Sequence, residues 1–259
     1  MEFNLTEQLM LLVASLIANG FSAIAGGGAG LLQLPLLLFL GLSFSTALAT
    51  HKIAAVALGL GATLRHWREG TFDLKFCLFV LACGLPGVVL GAFIILSIPE
   101  SYTKVALGVL TTGLGIYSLL QSQLGLTMQA KHRDAQGYLI GGAVLFFIGV
   151  LNGSLTSGTG LFVTLWLVYW FGLDYKRAAS YVLLLVGLFW NGSGALAIGL
   201  QTPPQWDWLP ALVLGALIGA YAGASLAIAK GNQWIKRSFE IVTIAVGLKL
   251  LYDGVRLFS

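Results

Sequence analysis

Two apolar runs in this chain are too short to cross a bilayer, and each is opened by a glycine-rich turn. The first turn is Ala25-Gly26-Gly27-Gly28-Ala29-Gly30, followed by a run to about residue 42. The second, Thr156-Ser157-Gly158-Thr159-Gly160, opens the run 160–172. A spanning helix needs roughly 20 residues, so neither run crosses unaided. Irregular backbone at membrane depth survives only where it lines a cavity or is covered by protein. Glycine fits where φ is positive or where something approaches the backbone closely. A helix N-terminus opening off such a turn favours an anion. A nucleotide loop would need a strand before the glycines and Lys-Ser/Thr after them, and the sequence has neither. Close helix packing through small residues would account for one such turn; its recurrence with a short run behind it calls for more.

The setting is a membrane. Hydrophobic residues make up 58% of the chain and charged residues 9%, with mean hydropathy +0.89, against about 25% charged in a soluble domain. Apolar runs lie at about 5–25, 30–42, 44–64, 75–96, 103–122, 138–156, 160–172, 177–199, 209–229 and 236–256. This pattern reads as an all-α polytopic membrane protein. Met1–Gln8 carries Glu2 and Glu7 and no basic residue, so a cleaved signal is not expected. With the N-terminus outside, the inner loops hold Arg65, Arg68, Lys75, Lys131, Arg133, Lys176, Arg177, Lys230, Lys236 and Arg237. The outer side keeps Lys104, Lys249 and Arg256, as the positive-inside rule requires. The net charge of +4 then reflects inner loops and not a nucleic-acid footprint.

The halves match beyond the turns. Gly30 aligns with Gly160, Ala49-Thr50-His51 with Ala179-Ser180-Tyr181, Gly87 and Gly91 with Gly219 and Gly223, and Gly115 with Gly247. Each half holds five runs, so the second enters the bilayer from the opposite side. That is the inverted-topology repeat of many secondary transporters. We expect one transmembrane domain over 1–259: repeat 1 at about 5–122, a solvated cytoplasmic linker at about 123–137, and repeat 2 at about 138–257.

Gly26-Gly27-Gly28-Ala29-Gly30-Leu31-Leu32-Gln33-Leu34-Pro35-Leu36-Leu37 resembles the first signature of the TauE/SafE sulfite-exporter family. The stretch from Ala49-Thr50-His51 through Leu64-Arg65-His66-Trp67-Arg68-Glu69-Gly70-Thr71-Phe72-Asp73 does so too, and Ile148–Leu165 looks like the second signature. The resemblance covers nearly the whole chain. It implies a bacterial inner-membrane transporter of a small sulfur-containing anion, sulfite or an organosulfonate such as sulfoacetate, acting as an exporter. One departure is His51-Lys52, where the family often has Ser and an apolar residue.

Lys52 is the most informative single residue. It lies ~12 Å along its helix if that helix starts near Phe44, deep enough that an ionisable group faces a cavity or partner, or else snorkels to the headgroups. His51 offers hydrogen bonding to an anion or proton coupling, or is a hydrogen-bonded interior histidine. Thr50 and Ser180 occupy matching positions, either as site hydroxyls or bonded back to their own helices, with Tyr181 matching His51. Gly28, Gly30 and Gln33 of the first turn, and Asn152, Thr156, Ser157, Thr159 and Gly160 of the second, offer backbone and polar groups to a ligand or to each other. Asn191 sits mid-run beside Gly192, lining a pathway or satisfying a helix break. The three histidines, His51, His66 and His132, share no metal-ligand or catalytic spacing, and no cofactor is implied. Cys77 and Cys83 read as packing residues; an intramembrane sulfur-handling role is the reading in which they would matter. A carrier or channel for another small anion is the other rival. The expected partners are a small anion, protons and lipid, with oligomerisation open.

Overall fold

The computed structural model describes residues 5–69, 72–94, 100–155 and 158–256, and the regular structure among them is entirely helical. The apolar runs become α1 (Leu5–Ala25), α2 (Gly30–Phe39), α3 (Phe44–His66), α4 (Leu74–Ile94) and α5 (Glu100–Leu120). In the second half they become α6 (Ala135–Ser154), α7 (Thr159–Tyr169), α8 (Tyr175–Gly199), α9 (Leu209–Lys230) and α10 (Asn232–Arg256). Among the described residues, six of these (α1, α3, α4, α6, α8 and α9) are long and apolar enough to cross a membrane. The two short runs stay short, at 10 and 11 residues.

Local chemistry sets the ends. Ser43, Asp134 and Asp174 cap α3, α6 and α8 by accepting from Thr46, Gly137 and Arg177 backbone N–H groups at 3.3, 3.3 and 2.9 Å, satisfying donors that have no partner inside the helix. Gly41 and Gly172, at φ 93° and 69°, follow the short helices α2 and α7 and stop them, a conformation that suits glycine. α10 starts at Asn232, ahead of the expected 236, because polar residues can continue a helix that apolarity alone does not reveal. The linker has contacts of its own. It is largely exposed but docked, Gln129 and Lys131 donating backbone bonds to Gly172 and Phe171 carbonyls at 2.8 and 3.2 Å, and His132 stacking on Trp170 at 4.0 Å.

The helices pair in a way that survives exchange of the halves. A side chain at Gly87 (α4) would strike the Phe146 carbonyl of α6, and one at Gly219 (α9) the Leu16 carbonyl of α1. Gly91 meets Val150 as Gly223 meets Gly20. Gly115 faces Ile244 and Gly247 faces Thr112, each partner displaced by one half-chain offset. In membranes such close backbone approach supplies the van der Waals packing that water-driven burial cannot. On α5 and α10 the contacts run antiparallel, Gly108 beside Leu251 and Gly115 beside Ile244. The same holds between α3 and α8, where Lys52 lies against Gly194 and Gly59 against Gly187.

The largest buried cluster joins α4, α6, α7 and α8 with Phe171 beyond α7. Phe76 packs edge-on against Phe171 and Tyr181, with ring centroids 5.2 Å apart in each pair, the geometry aromatic quadrupoles favour. Cys77 is buried in this cluster and Cys83 packs against it, and both are free thiols.

Candidate functional site

The two glycine turns meet. Gly26, Gly27 and Gly28 have φ of 78°, 140° and 96°, and Gly158 has 77°. A Cβ on Gly27 would stand 2.7 Å from the Gly160 carbonyl carbon, so Gly27 has no room for a side chain at this separation. The first turn is held by Gly27 N–H donating to Ser22 O at 2.8 Å and by the Thr164 hydroxyl donating to Gly26 O. α2 and α7 begin at this junction, and the first N–H groups of a helix have no intrahelical acceptor.

Beside the junction is a small cavity, about 30 Å³ measured as room for the centre of a water-sized sphere. At ~10–15 Å³ per water on that measure, it has room for about two. Its wall includes Gly28 and Gly30 from the first turn, Thr159 and Gly160 from the second, His51 from α3, Asn152 from α6 and Asn191 from α8.

Lys52 is fully buried, which removes the snorkelling alternative. Its Nζ donates to Asn152 O at 2.9 Å, Asn152 Oδ1 at 3.3 Å and Asn191 Oδ1 at 3.5 Å. These acceptors are neutral, and no carboxylate among the described residues pairs with it. Asn152 in turn donates from Nδ2 to Thr159 Oγ1 at 2.9 Å. The ammonium therefore lies one residue behind the cavity wall, coupled to it through two amides. A helix neighbour points ~100° away, which is why His51 faces the cavity while Lys52 stands behind it.

His51 Nδ1 contacts Gln33 Oε1 at 2.7 Å, and Gln33 Nε2 donates to Ser15 Oγ at 3.1 Å. Gln33 is fully buried and does not line the cavity itself; it supports His51.

Three expected site side chains stand elsewhere. The Thr50 hydroxyl donates to Thr46 O at 2.6 Å and accepts from Gln205 N–H at 2.9 Å. The Ser180 hydroxyl donates to Arg177 O at 2.7 Å, so the matched hydroxyls bond back along their helices, as such groups do when no better acceptor faces them. Tyr181 points into the aromatic cluster and accepts from Asp73 N–H at 2.7 Å. Thr156 and Ser157 lie outside the described residues. Cys77 and Cys83 do not line the cavity.

Two contributors escaped the sequence reading. Ser22 lines the cavity, and its buried hydroxyl has no hydrogen-bond partner among the described residues. Its signal was present: Ser15, Asn19 and Ser22 form a polar stripe at helical spacing on an otherwise apolar α1. The other is the middle of α8, Leu183–Trp190, which winds as a π-helix, a form concentrated at functional sites. It brings Leu183, Val186 and Gly187 to the wall and ends at Asn191. Nothing in that apolar sequence announces the change of winding.

The profile of the family described as "Sulfite exporter TauE/SafE" matches residues 11–250. The chain is 28% identical over 254 residues to a probable membrane transporter protein of Haemophilus influenzae, covering 98% of each. It is 30% identical over 244 residues to the probable membrane transporter protein ORF9 of a Sinorhizobium species, covering 94% of this chain and 92% of that one. Against the probable membrane transporter protein YfcA of Escherichia coli K12 the figures are 29% over 249 residues, 95% and 90%.

Proposed function

The chain belongs to the sulfite exporter TauE/SafE family of membrane proteins, and from that premise we propose that this transporter carries a small sulfur-containing anion, sulfite or an organosulfonate such as sulfoacetate. In this reading it exports the anion across a bacterial inner membrane by alternating access, with its N-terminus outside. The halves act as inverted repeats, a reading supported by the exchange-invariant glycine contacts and the antiparallel pairing of α5 with α10 and α3 with α8.

The observation that carries the anion is Lys52, a buried ammonium held only by neutral oxygens beside a cavity onto which two helix N-termini open. Burying a cation without a counter-charge costs several kcal/mol. An anion in the cavity offsets that cost, and Asn152 and Asn191 are placed to relay the charge to it. The tight apposition of α3 and α8 at Gly59 and Gly187 favours a carrier over an open pore.

Proteoliposome counterflow tests this reading. Preloaded sulfite or sulfoacetate is expected to drive saturable uptake of labelled anion by the full chain. Flux that is linear in concentration, with no counterflow, would instead identify a channel.

A further inference from the structure

The cavity presents one ring nitrogen whose protonation is set from a distance. Ser15 has a single hydroxyl proton, and it goes to the Leu212 carbonyl of α9 at 2.6 Å. The Ser15 oxygen can therefore only accept from Gln33, whose amide nitrogen lies 3.1 Å away. That contact orients the amide so that Gln33 Oε1 faces His51 Nδ1 at 2.7 Å. An amide oxygen cannot donate, so Nδ1 carries the proton. A neutral imidazole has only one N–H, and Nε2 is left as a bare lone pair. His51 is 1% exposed and lines the cavity, and Nε2 makes no hydrogen bond to a described residue.

The polar groups around the cavity and the Ser15–Gln33–His51 chain are few. α1 contributes Ser15, Asn19 and Ser22, α2 contributes Gln33, and α9 contributes a backbone carbonyl. α6 and α8 contribute Asn152 and Asn191. The charged neighbour is Lys52 on α3 itself. No carboxylate among the described residues stands ready to share a proton with the ring.

A fully ionised oxygen placed against a bare lone pair is repelled, whereas an oxygen that still bears its acid proton donates a hydrogen bond. We infer that the site selects an oxyanion carrying a titratable proton, of the hydrogen-sulfite kind with an S–OH group, over a sulfonate, and that His51 Nε2 accepts that proton. This rests on the anion-transport reading and narrows it. In the transfer the O–H bond breaks and the N–H bond forms. The electron pair stays on oxygen, and nothing is oxidised or reduced. The resulting dianion is matched by the His51 imidazolium and the Lys52 ammonium. Ser15 and Gln33 are positioning residues: through them the α9 backbone holds the ring in the accepting tautomer.

The experiment is calorimetric binding of sulfite and of methanesulfonate to the purified full chain across a pH series, with Ser15→Ala alongside. The parent is expected to favour sulfite by about tenfold or more where its protonated form dominates, one hydrogen bond's worth, and to lose that preference as pH rises. Ser15→Ala frees the Gln33 amide to turn and the ring to change tautomer. It is expected to bind methanesulfonate more tightly than the parent does, so that discrimination collapses; a merely structural lesion would weaken both anions together. Nitrogen NMR of histidine-labelled parent gives an independent readout, with His51 protonated at Nδ1 expected. Protonation at Nε2, or equal parent affinity for the two anions, overturns the inference and leaves anion transport standing. A parent that binds neither anion overturns the transport reading and this inference with it.

Discussion

Among the described residues two lysines are buried, and their surroundings differ. Lys236 of α10 is paired with Glu240 one turn on, and also donates to Ser118 O at 2.6 Å. Ser118 in turn donates to Glu240 Oε1 at 2.9 Å and meets the Tyr175 hydroxyl at 2.8 Å. That cluster is closed: its charge is cancelled and its donors are used within the fold. Lys52 has comparable burial, with three contacts to neutral oxygens and a cavity next door. The first arrangement fastens α5, α8 and α10 together. In the function proposed above, the second leaves a positive charge for the transported anion to answer. Burial alone therefore does not mark a site; the state of the counter-charge does.

The largest expected effect comes from breaking the closed cluster. Glu240→Gln leaves Lys236 buried without its carboxylate, at a cost of about 3–5 kcal/mol. Thermal unfolding in detergent should fall by roughly 10 °C at the usual 2–4 °C per kcal/mol for a chain of this size, with sulfite affinity of the folded fraction unchanged. Lys52→Met should do the reverse. We expect its unfolding temperature without anion to hold or rise, because a cation lacking a counter-charge is removed. Sulfite binding should weaken roughly 10- to 100-fold, the range for a charged hydrogen bond. Wild-type affinity in that variant would dissolve the contrast. Smaller again is the double change Lys236→Met with Glu240→Leu, which replaces the whole pair by apolar groups. Its stability should lie within about 1 kcal/mol of the parent, and a loss as large as that of Glu240→Gln would mean the pair is more than a compensated charge. The smallest effect belongs to Lys249→Ala. Lys249 pairs with Asp253 at 2.7 Å on an exposed helix face, and such pairs contribute a few tenths of a kcal/mol, so neither melting nor binding should move measurably.

Much of the fold was legible because the bilayer leaves so few solutions. Runs of apolar residues had to be helices, and the two short ones had to be broken helices behind glycine turns. The linked positions Gly87 with Gly219, Gly91 with Gly223 and Gly115 with Gly247 could be read as matched before their contacts were known. The site was legible in part. Lys52 and the turn glycines drew notice through cost and recurrence, since a charge or an unsatisfied backbone at membrane depth needs a reason. Thr50 and Ser180 misled because a hydroxyl on a helix always has a nearby carbonyl of its own to bond. Tyr181 misled because half-chain correspondence predicts position along a helix, not which face the side chain takes once Phe76 and Phe171 claim it.

What the sequence settled by itself was the class of molecule, its helix count and the places where those helices fail to span, because hydropathy, length and backbone hydrogen bonding act locally along the chain. What only the tertiary structure decided was which polar groups answer one another. The meeting of Gly27 with Gly160, the neutral cage around Lys52 and the carbonyl of Leu212 that fixes His51 through Ser15 and Gln33 join residues far apart in sequence. Hydrogen bonds have a reach of about 3 Å and a required direction, and only the packed arrangement supplies both.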